Sequence, residues 1–76
     1  MVRSFRFRNP GKSEMTVWVD LWSDEIRVPP GSVLTIHTHH EHFNGTPTIQ
    51  PTETGLAFWA ECDGYEADID GKPLSL

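Results

Sequence analysis

Met15-Thr16-Val17-Trp18-Val19-Asp20-Leu21-Trp22 is the stretch on which the fold turns. Met15, Val17, Val19 and Leu21 alternate there with Thr16, Trp18, Asp20 and Trp22. Successive side chains of a strand point to opposite faces, so this alternation describes a strand with one apolar face; an amphipathic helix would repeat at a different spacing. Working outward, Phe5 and Phe7 alternate with Ser4, Arg6 and Arg8, Ile26 and Val28 with Glu25 and Arg27, and Leu34 and Ile36 with Val33, Thr35 and His37. Further on, Leu56, Phe58, Ala60 and Cys62 oppose Ala57, Trp59 and Glu61, and Tyr65, Ala67 and Ile69 oppose Glu66, Asp68 and Asp70. Helical spacing appears nowhere over a useful length.

Turn chemistry falls between these runs, at Asn9-Pro10-Gly11-Lys12, Ser23-Asp24, Pro29-Pro30-Gly31, Asp63-Gly64 and Asp70-Gly71. Asp-Gly between alternating runs favours a type I′ hairpin, so Asp63-Gly64 is expected to pair strands near 56–62 and 65–70 antiparallel. The segment from Glu41 to Glu53 has no clear pattern and reads as the longest loop. One-sided apolar strands must roll up or stack to keep that face dry. The expected fold is all-β, a small antiparallel β-barrel or β-sandwich of about six to seven short strands. Its core should hold Phe5, Phe7, Val17, Val19, Leu21, Ile26, Leu34, Ile36, Leu56, Phe58 and Ile69.

The chain has 76 residues, too few to divide their apolar side chains between two cores, so residues 1–76 read as a single domain. Small domains bury a modest share of their surface, which makes self-association a common supplement. Six Lys and Arg stand against eleven Asp and Glu, a formal net charge of -5. That balance argues against nucleic acid or an anionic membrane as partner. The single cysteine, Cys62, permits no internal disulfide, and no stretch has the apolar length of a spanning helix or the form of a signal peptide. These features describe a cytoplasmic protein.

All four histidines lie between His37 and His42, beside Glu41. Imidazole and carboxylate are common donors to divalent transition metals, so His37, His39 and His42 form a candidate metal set, with His40 or Glu41 as a further donor. The plain alternative is a polar strand end running into a solvated loop. The alternation supports the plain reading: if Leu34 and Ile36 face the core, His37 and His39 face away from it.

Gly31-Ser32-Val33-Leu34-Thr35-Ile36-His37-Thr38-His39, preceded by Pro29-Pro30, resembles the start of the first cupin motif, a glycine, five residues and then His-x-His. The resemblance implies a barrel in which His37 and His39 ligate a metal. The cupin glutamate would follow three or four residues later, where this chain has Phe43 and Asn44, and no second motif follows. The chain as a whole is similar to short bacterial all-β proteins of unknown role, a similarity that implies no function.

Trp18, Trp22 and Trp59 all fall opposite the main apolar run. Large aromatics there form a second small core, a ligand patch or a dimer interface. Arg6 and Arg8 share the outer face of the first strand. Cys62 continues an apolar face and reads as a buried small hydrophobe, and Glu66, Asp68 and Asp70 as a solvated acidic face. The leading expectation is a small non-catalytic binding or assembly module, without a cofactor, that forms a homodimer through its tryptophan face. The alternative is a cupin-like metal-binding mini-barrel using the His37 to His42 run and a divalent transition metal.

Overall fold

The alternating runs become strands because each can bury its apolar side against another. A computed structural model describes every residue from Met1 to Leu76. Its strands are β1 (Val2–Arg8), β2 (Met15–Val19), β3 (Asp24–Val28), β4 (Val33–His39), β5 (Thr48–Pro51), β6 (Gly55–Trp59), β7 (Gly64–Ile69) and β8 (Lys72–Pro73), with a 3₁₀ turn at Asp20–Trp22. One four-stranded sheet has the order β1-β4-β7-β8 and the other β3-β2-β6-β5. The inner faces of the two sheets share one core. The architecture is thus two sheets rather than a closed barrel, and no helix is long and apolar enough to cross a membrane.

Eight strands replace the expected six to seven. The additional ones are β5, inside the segment that reads as a loop, and the two-residue β8. β5 pairs antiparallel with β6, which explains its lack of pattern: as an exposed edge strand, it has little apolar side to show. One pairing is parallel, β2 with β6, so the fold is not purely antiparallel.

The hairpin expected at Asp63-Gly64 does not form. β6 and β7 belong to different sheets, and residues 60–63 carry the chain across. Their buried members, Ala60 and Cys62, anchor this crossing to the core, while Glu61 and Asp63 face solvent. The two-residue hairpin lies instead at Asp70-Gly71, where both residues have positive φ, 52° and 83°, and Ile69 faces Lys72. That is type I′ geometry, the chemistry that Asp-Gly favours.

Seven of the expected core residues are buried: Phe7, Val17, Val19, Ile26, Leu34, Ile36 and Phe58. Phe5, Leu56 and Ile69 pack against them while partly exposed. Leu21 is the exception and is exposed. Val19 pairs with Asp24, so residues 20–23 must reverse the chain, and Leu21 leaves the strand for the 3₁₀ turn. Phe58 of the second sheet sits between Phe5 and Phe7 of the first, with ring centroids 5.3 and 5.5 Å away.

Two local devices fix the ends of the sheets. Asn9 is buried, its Nδ2 donates to the carbonyls of Ser13 and Val28, and its Oδ1 accepts from the Gly11 N–H. One side chain therefore ties the exit of β1 to the end of β3. Gly55 opens β6 where a Cβ would stand 2.0 Å from the Thr16 carbonyl oxygen, so only glycine allows the parallel pair to approach this closely.

Phe58→Ala should cost about 3–5 kcal/mol, because it removes a buried ring that touches both sheets. Asn9→Ala should cost about 1–3 kcal/mol, because it removes the buried amide that bonds the Ser13 and Val28 carbonyls and the Gly11 N–H. Urea unfolding measures both; midpoints equal to the parent's at an unchanged slope would contradict this packing.

Candidate functional site

The outer face of the first sheet carries polar residues because alternation turns every second side chain of β1, β4 and β7 away from the core. Ser4 pairs with His37, and His37 pairs in turn with Glu66. The Ser4 Oγ lies 2.8 Å from His37 Nδ1, and His37 Nε2 lies 3.0 Å from Asp68 Oδ2. An ionised carboxylate only accepts, so Nε2–H donates to Asp68 and, in the neutral ring, Nδ1 accepts from the Ser4 hydroxyl. His39 Nε2 is 3.0 Å from Glu66 Oε1 on the same face.

A serine, a histidine and an aspartate in this order have the partners that activate a hydroxyl nucleophile. The neighbouring recess is lined by His37, Asp68, Tyr65, Pro73, Leu74 and Leu76, among others, and Ser4 is not part of its wall. The row joins β1, β4 and β7 through side-chain hydrogen bonds on the outer face of the sheet.

The candidate metal set is divided among three carboxylates. His37 bonds to Asp68, His39 to Glu66, and His42 Nδ1 lies 2.9 Å from Asp63 Oδ1. His37 and His39 face away from the core, as the alternation requires. No group of three or more His, Cys, Asp or Glu side chains is placed to hold a metal ion. His40 is buried; its Nδ1 donates to the Phe43 carbonyl at 2.7 Å, and its Nε2 lies 2.7 Å from Thr38 Oγ1.

Asp63 organises the loop after β4. Its Oδ2 accepts from the N–H groups of Glu41 and His42 at 2.6 and 2.8 Å, with Phe43 N–H at 3.4 Å. These backbone donors, led by those of His42 and Glu41, hold its carboxyl well below the usual carboxylate range. The residue that reads as a hairpin turn thus works as a loop clamp. Only the three-dimensional path, which brings residues 41–43 against residue 63, reveals that role. The Val33 N–H likewise lowers the Asp70 carboxyl.

The second sheet presents a different outer face. Trp18 lies beside Ala57, and Trp59 follows two residues along β6 on the same side. Thr48 and Gln50 of β5 flank that strip, so charge appears only along β3, at Glu25 and Arg27. Trp22 does not join the strip. It lies in the 3₁₀ turn with its ring 5.0 Å from that of Tyr65, whose hydroxyl donates to Asp24. Burial, followed by that bond, pushes the Tyr65 phenol up.

Next to Trp59, a groove is lined by Leu21, Phe43, Trp59, Glu61 and Cys62. Burial also pushes the Cys62 thiol up, away from the reactive thiolate. Leu21 is 42% exposed, Phe43 55%, Trp59 43% and Trp18 37%, which makes this the main concentration of large apolar groups in contact with solvent. Phe43 falls in the patternless loop and gave no sequence signal, and Leu21 reads as core until the turn at Asp20 is seen. No protein-family model, curated protein or solved structure matches the chain.

The Asp63 clamp predicts acid sensitivity. A depressed folded-state pKa means that the unfolded chain binds the proton more readily, so the contribution is present above the ordinary carboxylate value of about 4 and is lost as pH falls below it. Asp63→Asn should be less stable than the parent at neutral pH, and its melting temperature should fall less between pH 5 and pH 2.5 (about the range in which a carboxylate titrates). Parallel thermal melts of the two proteins would check this, and identical acid profiles would contradict it.

Proposed function

We propose that this chain is a small non-catalytic binding or assembly module that self-associates through the Trp18 and Trp59 face of its second sheet. The observation that carries this reading is the half-exposure of Trp18, Trp59, Leu21 and Phe43 around one strip and its adjoining groove. Monomers seldom leave contiguous apolar patches of that kind wet. A second copy is the simplest cover, because one patch on two copies can be complementary to itself about a two-fold axis. Thr48 and Gln50, which leave one flank of the strip uncharged, support this. Trp22 contributes through its contact with Tyr65 rather than as part of the interface.

Metal coordination by His37, His39 and His42 is the weaker reading, because each ring is already bonded to a different carboxylate.

Sedimentation of the parent should show a dimer whose population rises with concentration. Trp59→Ala or Trp18→Ala should raise the dissociation constant about thirtyfold, the effect of losing an interface anchor worth about 2 kcal/mol. Stability should also become less dependent on concentration. A parent that stays monomeric at millimolar concentration would refute the proposal.

A further inference from the structure

β1 forms an edge of the first sheet, apart from the tryptophan face of the second. Met1 and His40 exchange backbone hydrogen bonds, and the Asn9 N–H donates to the Ser32 carbonyl. In an antiparallel ladder the bonded pairs alternate, so the odd residues of β1 bond to β4. The backbone N–H and C=O groups of Val2, Ser4, Arg6 and Arg8 therefore point outward. β1 ends its sheet, and no other segment of the chain bonds to these groups.

The side chains at this edge carry a matching charge signal. Arg6 and Arg8 share the outer face and border one shallow recess with Gly31 and Val33. Neither forms an ion pair, whereas Arg27 is paired with Glu25 and Arg3 is bonded to Asn44. Two unpaired guanidinium groups on one edge are conspicuous in a chain of net charge -5. Positive charge can simply protect an edge from pairing with its like.

We infer that the β1 edge receives an extended acidic peptide segment of another protein, added antiparallel as a further strand. The free backbone groups would supply the ladder, and Arg6 and Arg8, two residues apart on one face, would meet carboxylates at alternate positions of the guest. A second copy of β1 fits less well. The antiparallel register that keeps arginines from standing directly opposite each other pairs Arg6 with Ser4 and Arg8 with Val2. That register still gathers both arginine pairs on one face with no acidic side chain on either copy of β1.

The test uses labelled, end-capped peptides of about eight alternating glutamate and valine residues, long enough to span the strand, titrated against the intact protein by fluorescence anisotropy. The acidic peptide should bind, and the lysine and valine version should bind at least about tenfold more weakly, with the difference shrinking at high salt. N-methylation of the peptide amides that face β1 should abolish binding, since it removes the ladder donors. The double variant Arg6→Glu, Arg8→Glu should reverse the order of the two peptides while keeping the parent's circular dichroism. If that variant does not fold, the N-methylated peptide decides the matter on the parent protein. Equal binding of the acidic and basic peptides, unchanged binding after N-methylation, or no binding at all would overturn the inference. So would a dimer that survives Trp59→Ala and is broken by Ser4→Pro, which removes an outward N–H. Binding of the acidic peptide that persists in Trp59→Ala separates this edge from the tryptophan face.

Discussion

The contact of Phe58 with Phe5 and Phe7 is the constraint on which the rest of the structure depends. Two four-stranded sheets in a chain this short offer little depth, and these three rings join their inner faces at tilted and edge-on angles. Such aromatic geometry adds to plain area burial. With Phe58 fixed inward, its neighbours Ala57 and Trp59 must point outward, and the parallel pairing with β2 brings Trp18 to the same face. The apolar surface is thus a consequence of the core.

The two outer faces differ in chemistry for the same reason. Inward Phe5, Phe7, Leu34, Ile36 and Ala67 turn Ser4, Arg6, His37, Glu66 and Asp68 outward, where Ser4, His37 and Asp68 bond across strands and Glu66 bonds to His39. On the second sheet the outward residues of β2, β5 and β6 are indoles, a methyl group and uncharged polar side chains, with charge confined to Glu25 and Arg27 of β3. The first sheet can remain in water on one side. The second exposes large apolar side chains, which is why the proposed self-association is placed there. The β1 edge offers something else again, a backbone row with unpaired cationic groups beside it.

The loop after β4 shows how one side chain can replace secondary structure. Residues 41–43 have no ladder partner, yet three of their N–H groups converge on Asp63. That carboxylate follows the crossing from β6 and immediately precedes β7, so the clamp joins the loop to the passage between sheets. Phe43, presented beside Trp59 by this loop, adds its ring to the apolar groove. His40, bonded on both ring nitrogens, anchors the same loop from beneath.

Residue pattern by itself determined the strands β1, β2, β3, β4, β6 and β7, their inward sides and most of the core, because period-two alternation is a local property that burial of one face enforces. It also placed His37 and His39 away from the core and Trp18 and Trp59 on an outer face. Tertiary structure alone decided which strands pair. Asp63-Gly64 and Asp70-Gly71 have the same turn chemistry, and only the second became a hairpin, because β7 found β4 and β8 while β6 found β2 and β5. It decided too that Leu21 and Trp22 leave their strand, since the antiparallel return of β3 needs residues 20–23 for its turn. The division of the histidines among Asp68, Glu66 and Asp63, and the meeting of Ser4 with His37, were likewise hidden. Hydrogen bonds between residues distant in sequence depend on sheet register, and register is fixed by packing across the whole molecule rather than by any single run of residues.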